Sequence, residues 1–313
     1  MLAPRTTVIV NPKSQGGRLG ARWREVAETL GRAFPFDEAI TEGPGDATRL
    51  VREALRGGAE RIVAIGGDGT INEVVNGFFE DGVAIAPEAS LALIPYGTGG
   101  DFRKTIEVPK DLAQAAAVIA KNHRTKIDLG KLTYTTRSGE RATRMFANIA
   151  SFGVSGVVDR LVNESGKKLG GRLSFLLATA RATWSYTNQR VHLVFDDKDR
   201  VDATINTVAV ANGRYFGGGM LVAPEAELDD GAFDVISIGD LGFAELLTSG
   251  RRVYKGTHLS MDKVSHRRAK VIEAEPVDPG ATVELDVDGE NLGQLPARFE
   301  IVPSALWMVI PTA

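Results

Sequence analysis

Four short stretches hold the residues whose types and spacing suggest chemistry. In Ile62–Gly77, IVAIGGDGTINEVVNG, an apolar run breaks into Gly66, Gly67, Asp68, Gly69 and Thr70 before a helix-like pattern. In Pro95–Lys104, PYGTGGDFRK, glycines and a hydroxyl again surround an aspartate, Asp101. Glu227–Val235, ELDDGAFDV, clusters acids beside a glycine. Asp286–Glu290, DVDGE, sets two acids at i and i+2 around Gly289.

Glycines let backbone N–H groups approach a phosphate without side-chain obstruction. A helix beginning near Thr70 points its N-terminal N–H groups and dipole at the same place. A carboxylate there would repel a phosphate on its own. It makes sense if a divalent cation lies between them, and magnesium accepts carboxylates together with phosphate oxygens and water. The plain alternatives are a tight turn in which Asp68 caps its helix, and an Asp101 that caps the FRKT segment. No GxxxxGK[ST] occurs and Gly66–Asn72 does not fit GxGxxG, so a triphosphate would be held by another glycine device. Asp288 and Glu290 share a strand face if the strand continues. If Gly289 turns the chain, they belong to an ordinary Asp-Gly hairpin.

The elements that would position these residues alternate. Thr6–Val10, RIVAI and SLALIPY read as buried strands, with FDEAI as another. LGARWREVAETLGRAF, ATRLVREAL, INEVVNGFF and DLAQAAAVIAKN have helical spacing. Such βα units make a parallel sheet, which binds ligands at the carboxyl ends of its strands. The loops NPKSQGG, TEGPGD, GGDGT and PYGTGGDFRK would then share one edge. After about Lys126 the texture becomes strand-like with alternation, interrupted by helical RLSFLLATARATWSYT and FAELLTSGRRVYKG. The expected organisation is an α/β nucleotide-binding domain over 1–127 and a mostly β, sandwich-like domain over 128–313.

A net charge of −3 provides no global basic field for nucleic acid. The absence of cysteine excludes disulfides and thiolate zinc sites. His123, His192, His258 and His266 are scattered without zinc spacing, and no GxSxG elbow occurs, which argues against nucleophilic hydrolysis. No apolar run approaches the roughly 20 residues of a membrane span, and no signal-peptide h-region is evident. A soluble cytoplasmic protein, at most peripheral to the inner face of the membrane, is expected.

NPKSQGG, GGDGTINEVVNG and PYGTGGDFRK in this order resemble the catalytic domain of the diacylglycerol kinase family, which includes bacterial lipid kinases and is similar to sphingosine and ceramide kinases. Tyr215–Val235 and DVDGE resemble its second half, so the likeness covers nearly the whole chain. GGDGT alone also suits NAD kinases, and phosphofructokinases are similar there. The resemblance implies phosphoryl transfer from ATP, with Mg2+, to a lipid hydroxyl at a membrane surface. Diacylglycerol is the leading substrate and phosphatidic acid the product. It implies nucleotide contacts from Asn11, Ser14, Thr41, Gly66, Gly67, Asp68, Gly69, Thr70, Asn72, Thr98 and Gly99. Asp68 and Asp101 would hold the catalytic magnesium, directly or through water. Asp230, with carbonyls near Glu227 and Ala232, would hold a structural one, and Asp229 could take the place of Asp230. A carboxylate of DGE, Asp288 or Glu290, would accept the hydroxyl proton. Two departures stand out: Gly100 replaces the asparagine of the usual GTGNDFAR, and Gln15 replaces a glycine. Neither removes a carboxylate, so activity is expected to survive them.

A lipid kinase without a span must work at an interface. The basic clusters at Lys167, Lys168 and Arg172, at Arg251, Arg252 and Lys255, and at Arg267, Arg268 and Lys270 are candidates for docking to anionic lipid. Arg181 lies in an apolar segment that would line an acyl cleft or pack in a core. The alternatives are a kinase of a soluble substrate, similar to NAD kinase, and a nucleotide sensor without catalysis. A homodimer is left open.

Overall fold

A computed structural model describes residues 3–97, 100–158, 186–241 and 243–312. The chain forms two compact units, Met1–Asp128 with Pro303–Ala313, and Leu129–Val302.

The first unit is a βα succession. β1 (Thr6–Val10), α1 (Arg18–Gly31), β2 (Asp37–Ile40), α2 (Asp46–Arg56), β3 (Arg61–Gly66) and α3 (Asp68–Gly77) follow one another. A two-residue ribbon, β4 (Phe79–Glu80) with β5 (Val83–Ala84), leads to β6 (Ser90–Pro95), α4 (Asp101–Thr105) and α5 (Leu112–Lys121). β6, β3, β1 and β2 are neighbours in that order and run parallel, with Ile62 opposite Leu91 and Ile9 opposite Ala64. Every residue of β3 is buried, as expected of a strand covered on both faces. α1 packs against α5 and α2 against α3. The fully buried Arg61 donates to Thr6 Oγ1, Ile119 O and Asn122 Oδ1, tying β3 to β1 and to the end of α5; burial pushes its pKa down to about 10.

The second unit is built from the part of β7 (Arg124–Thr136) beyond Asp128, with β8 (Arg141–Phe146), β9 (Ile149–Gly153), β10 (Gln189–Phe195), β11 (Asp199–Ile205) and β12 (Thr207–Ala211). The short pair β13 (Tyr215–Phe216) and β14 (Met220–Leu221) follows, then β15 (Phe233–Ile238), the helix Phe243–Lys255, β16 (Val264–Ala269), β17 (Val271–Pro276), β18 (Glu284–Val287) and β19 (Glu290–Val309). One layer runs β16-β15-β12-β9-β18-β19 and the other β11-β10-β17-β19-β7-β8. β19 serves both, pairing β18 through residues 290–294 and β17 through residues 297–300. Alternation supplies the inner faces: Val191, Leu193 and Phe195 of β10 are buried and their neighbours are not. Phe146 stacks on Phe233 at 5.7 Å and Phe152 on Phe299 at 5.9 Å within this core.

The chain thus has the expected parallel α/β half and the expected β-sandwich-like half. Its last residues need a correction. Their texture places 303–313 with the β-rich half, but they belong to the first unit, where Trp307 and Met308 extend the parallel sheet beside Ser90 and Leu91. An apolar run such as LWMVI suits a sheet of either kind. The unit that receives it is decided by which edge strand remains to be paired.

Candidate active site

Four βα connections meet at the carboxyl ends of β1, β2, β3 and β6, and side chains lace them together. Asn11 Nδ2 donates to Thr70 Oγ1 at 3.0 Å, joining the first loop to the third. Lys13 Nζ reaches Glu42 O at 3.3 Å and Gln15 Nε2 reaches Gly97 O at 3.5 Å, joining the first loop to the second and fourth. Glu73 accepts from Gly45 N and Ala47 N at 2.9 and 3.2 Å, so α3 caps the start of α2. Asp68 Oδ2 accepts from Gly100 N at 2.9 Å and its Oδ1 from Asp101 N at 3.2 Å, so α3 also holds the start of α4.

The glycines have distinct reasons. A Cβ on Gly97 would lie 2.6 Å from Gly67 Cα, and one on Gly66 would lie 2.6 Å from Thr70 Oγ1. The third and fourth loops approach backbone to backbone, which only glycine permits. The N-caps of α1, α2, α3 and α4 are Gly17, Gly45, Gly67 and Gly100, and none offers a capping side chain. α5 contrasts with them: its N-cap Asp111 accepts from Gln114 N at 2.9 Å in the usual way. Glycine N-caps leave the first turns to other partners: Glu73 takes N–H groups of α2, Asp68 those of α4, and Ser14 O and Pro12 O those of Leu19 and Gly20 in α1.

The predicted residues of this half distribute as follows. Asn11, Ser14, Thr41, Gly66, Gly67, Asp68, Gly69 and Thr70 lie in the connections at this edge, with Ser14, Thr41, Gly66 and Thr70 buried. Asn72 is 0 % exposed, one turn into α3, where its carbonyl and Oδ1 accept from Asn76 Nδ2. Thr98 and Gly99 lie outside the described residues. Asp101 is buried and accepts from Lys104 Nζ at 2.7 Å, while Arg103 donates to Val108 O. Gly100 has φ +68°, and a Cβ there would meet only the Arg103 side chain, at 3.6 Å. The family's asparagine would fit, so the departure removes an amide without steric need. Gln15 carries φ +51°, which explains a glycine at that position elsewhere.

Asp68 and Asp101 fit magnesium by donor type, being two carboxylates on adjoining loops linked through the Asp101 N–H. At 227–232 the one side-chain donor of the expected set is engaged. Asp230 Oδ1 accepts from Ala232 N at 3.1 Å and its Oδ2 pairs with the Arg268 guanidinium, while Glu227 is exposed. Among the described residues, no three or more acids or histidines gather as a metal centre. The cation that meets Asp230 is an arginine from β16, a strand whose register with β15 the sequence does not disclose.

The structure separates the two acids of DGE. β18 and β19 close around Asp288-Gly289, with Val287 opposite Glu290 and φ values of +51° and +86° at the two central residues. A two-residue hairpin requires positive φ at both positions of an I′ turn. Asp288 is 6 % exposed and accepts from the N–H groups of Ala147, Asn148 and Ile149 at 3.3, 3.2 and 3.1 Å. The Glu290 side chain is 35 % exposed, with Arg144 Nη2 at 3.6 Å from its Oε2. Only Glu290 of the pair presents a carboxylate toward solvent.

Sequence reasoning missed Glu73, Arg144 and Asn148. Asn148 is buried and donates through Nδ2 to Tyr215 O at 2.9 Å, anchoring the YFGGGM segment. Single acids, bases and amides in ordinary helix or strand patterns carry no local signal. Of the basic clusters, Lys167, Lys168, Arg172 and also Arg181 lie outside the described residues. Arg251, Arg252, Lys255, Arg267, Arg268 and Lys270 are exposed, Arg267 also lying over the Phe195 ring at 5.2 Å. No helix among the described residues is long and apolar enough to cross a membrane.

The first unit carries a parallel-sheet rim with glycine N-caps and the second a sandwich hairpin with a half-exposed acid, the parts of a phosphotransferase of the lipid kinase kind. Residues 5–132 match the diacylglycerol kinase catalytic domain, and residues 148–310 match the YegS C-terminal NAD kinase beta sandwich-like domain. The chain is 29 % identical over 297 residues to a diacylglycerol kinase of Staphylococcus carnosus, covering 94 % of this chain and 91 % of the relative. It is 30 % identical over 306 residues to a protein of Xanthomonas euvesicatoria pv. vesicatoria named "Probable lipid kinase YegS-like", covering 97 % and 95 %. A crystal structure of a diacylglycerol kinase from Bacillus anthracis superposes with a TM-score of 0.71 at 26 % identity, covering 98 % and 97 % of the two chains. The chain belongs to the diacylglycerol kinase family and is a lipid kinase.

Proposed function

We propose that this lipid kinase transfers the γ-phosphoryl group of ATP to the hydroxyl of diacylglycerol, giving phosphatidic acid, at a membrane surface. The observation that carries the nucleotide half is the laced rim, where four glycine-capped helix starts converge and a carboxylate of α3 spans two loops. Backbone N–H groups of Gly67, Gly69 and Thr70 would cradle phosphate oxygens. Asn11 would fix the Thr70 hydroxyl through their hydrogen bond. Asp68 and Asp101 are the residues that would hold magnesium, which when bound neutralises charge on the triphosphate. Glu290 would accept the proton of the lipid hydroxyl as the oxygen attacks, because it is the half-exposed acid of the hairpin. Arg144 would keep that carboxylate oriented before the transfer.

The relatives named diacylglycerol kinase support the choice of substrate. The test is transfer of labelled phosphate from ATP to a panel in mixed micelles: diacylglycerol, monoacylglycerol, phosphatidylglycerol, a sphingoid base and ceramide, with NAD as the soluble control. Label in phosphatidic acid is expected. Label in NADP alone, or in none of the lipids, refutes the reading.

A further inference from the structure

The turn that precedes Glu290 is held more firmly than a solvent-facing hairpin requires. Asp288 accepts N–H groups from three consecutive residues, Ala147, Asn148 and Ile149. Its own N–H returns to Ile149 O at 3.0 Å. Beneath it, the fully buried Asp286 accepts from Gly289 N at 2.9 Å and from Ser151 Oγ at 3.3 Å, and Ser151 continues through Ser155 to Thr207 in a chain of hydroxyls. The segment that Asp288 grips is the connection between β8 and β9, and β8 carries Arg144, the counter-ion of Glu290. The hairpin that Asp288 turns begins β19 with Glu290 itself.

We propose that Asp288 is a positioning residue: by gathering the Ala147–Ile149 N–H groups it fixes the strand of Arg144 against the strand of Glu290, and so sets the direction of the Glu290 carboxylate. This rests on Glu290 being the proton acceptor. Three N–H bonds engage lone pairs on both Asp288 oxygens, so the residue acts through backbone geometry rather than on the reacting atoms. An asparagine offers a single acceptor oxygen and an NH2 group, which would confront one of the three donors. A displaced catalytic group loses rate steeply, about 10²-fold for 1 Å.

The experiment compares Asp288→Asn with Glu290→Gln in the full chain, using ATP and diacylglycerol micelles, with pH profiles of kcat and amide hydrogen exchange. Asp288→Asn is expected to lower kcat about 10- to 100-fold. It should leave the KM for ATP unchanged, keep the acid limb of the pH profile at its wild-type midpoint, and speed exchange at residues 147–149. Glu290→Gln should lose the acid limb. Wild-type kcat in Asp288→Asn overturns the proposal, and so does loss of the acid limb in that variant, which would make Asp288 the titrating base. Should Asp288→Asn not fold, Gly289→Ala strains the same turn at φ +86° and leaves both acids in place. It should show the same fall in kcat with an unmoved pH midpoint, and wild-type kcat there also overturns the proposal. Wild-type kcat in Glu290→Gln brings down the base assignment instead, and exchange at 147–149 in Asp288→Asn tells the two failures apart because it reports the clamp alone.

Discussion

The rim of the first unit and the hairpin of the second use the same dipeptide in opposite ways. At the rim, Asp68-Gly69 opens α3, and the Asp68 carboxylate reaches out of its own loop to the N–H groups of Gly100 and Asp101. In the hairpin, Asp288-Gly289 is a two-residue turn whose carboxylate points inward to three buried N–H groups. A third copy, Asp230-Gly231, is a surface turn tied to Arg268. The glycines differ too. Gly66 and Gly97 are demanded by backbones in contact, whereas Gly289 has open space around its missing Cβ and is demanded by its dihedral angle alone. A local motif therefore reports the turn it can make, and its surroundings decide which backbone N–H groups the carboxylate meets.

The strongest way to break this contrast is to remove each aspartate in turn. Asp68→Ala should lower kcat by at least about 10³-fold, since phosphoryl transfer depends on neutralised phosphate charge. Asp230→Ala should leave kcat within about twofold and cost about 1 kcal/mol of stability through the lost Arg268 pair. Equal kcat losses in the two variants would erase the distinction. Glu290→Gln comes next, with a fall in kcat of about 10²- to 10⁴-fold and an unchanged KM for ATP. A collapse of ATP affinity would move Glu290 into the nucleotide site.

The glycines sharpen the same comparison at lower cost. Gly97→Ala should destabilise by about 1–3 kcal/mol through overpacking and raise the KM for ATP. Gly289→Ala should cost about 1 kcal/mol and act on kcat alone. Urea titrations together with separate kcat and KM values check both, and a KM effect from Gly289→Ala would contradict the division.

The smallest effect concerns pH. His258 is fully buried, its Nε2 lies 2.9 Å from Val222 O, and burial holds its pKa below the usual imidazole value. The neutral form is favoured in the fold, so this contribution to stability is present above about pH 6.5, the unfolded value, and is lost as pH falls through the lower folded value. Melting temperatures across pH 5 to 8 should fall on the acid side in the wild type and fall less in His258→Leu. An equal slope in both would assign the acid loss elsewhere.

Much of the architecture was legible along the chain because burial imposes a period. Fully apolar RIVAI and LALI are readable as central parallel strands, and the alternation in RVHLVFD as one face of a sandwich. The loops between them were readable as phosphate-tolerant because glycine, hydroxyl and acid recur at each strand end. The partners of the acids were not readable. Gly100 and Ala147 answer Asp68 and Asp288 through backbone N–H groups, which every residue but proline carries and no sequence marks. Which of Asp288 and Glu290 is buried was equally hidden, because it turned on whether Gly289 bends the strand.

By itself the sequence determined the βα succession, the change to a β-rich half, the four glycine-bearing strand ends and the family to which the chain belongs. These follow from side-chain periodicity and from conformations that glycine alone adopts readily, and both are local properties. Only the tertiary structure decided that residues 303–313 close the first sheet, that Arg268 meets Asp230, and that Asp288 is spent on the fold while Glu290 is half-exposed. Each of those outcomes depends on which strands lie side by side. Strand pairing joins residues far apart in the chain, and nothing in either local segment records it.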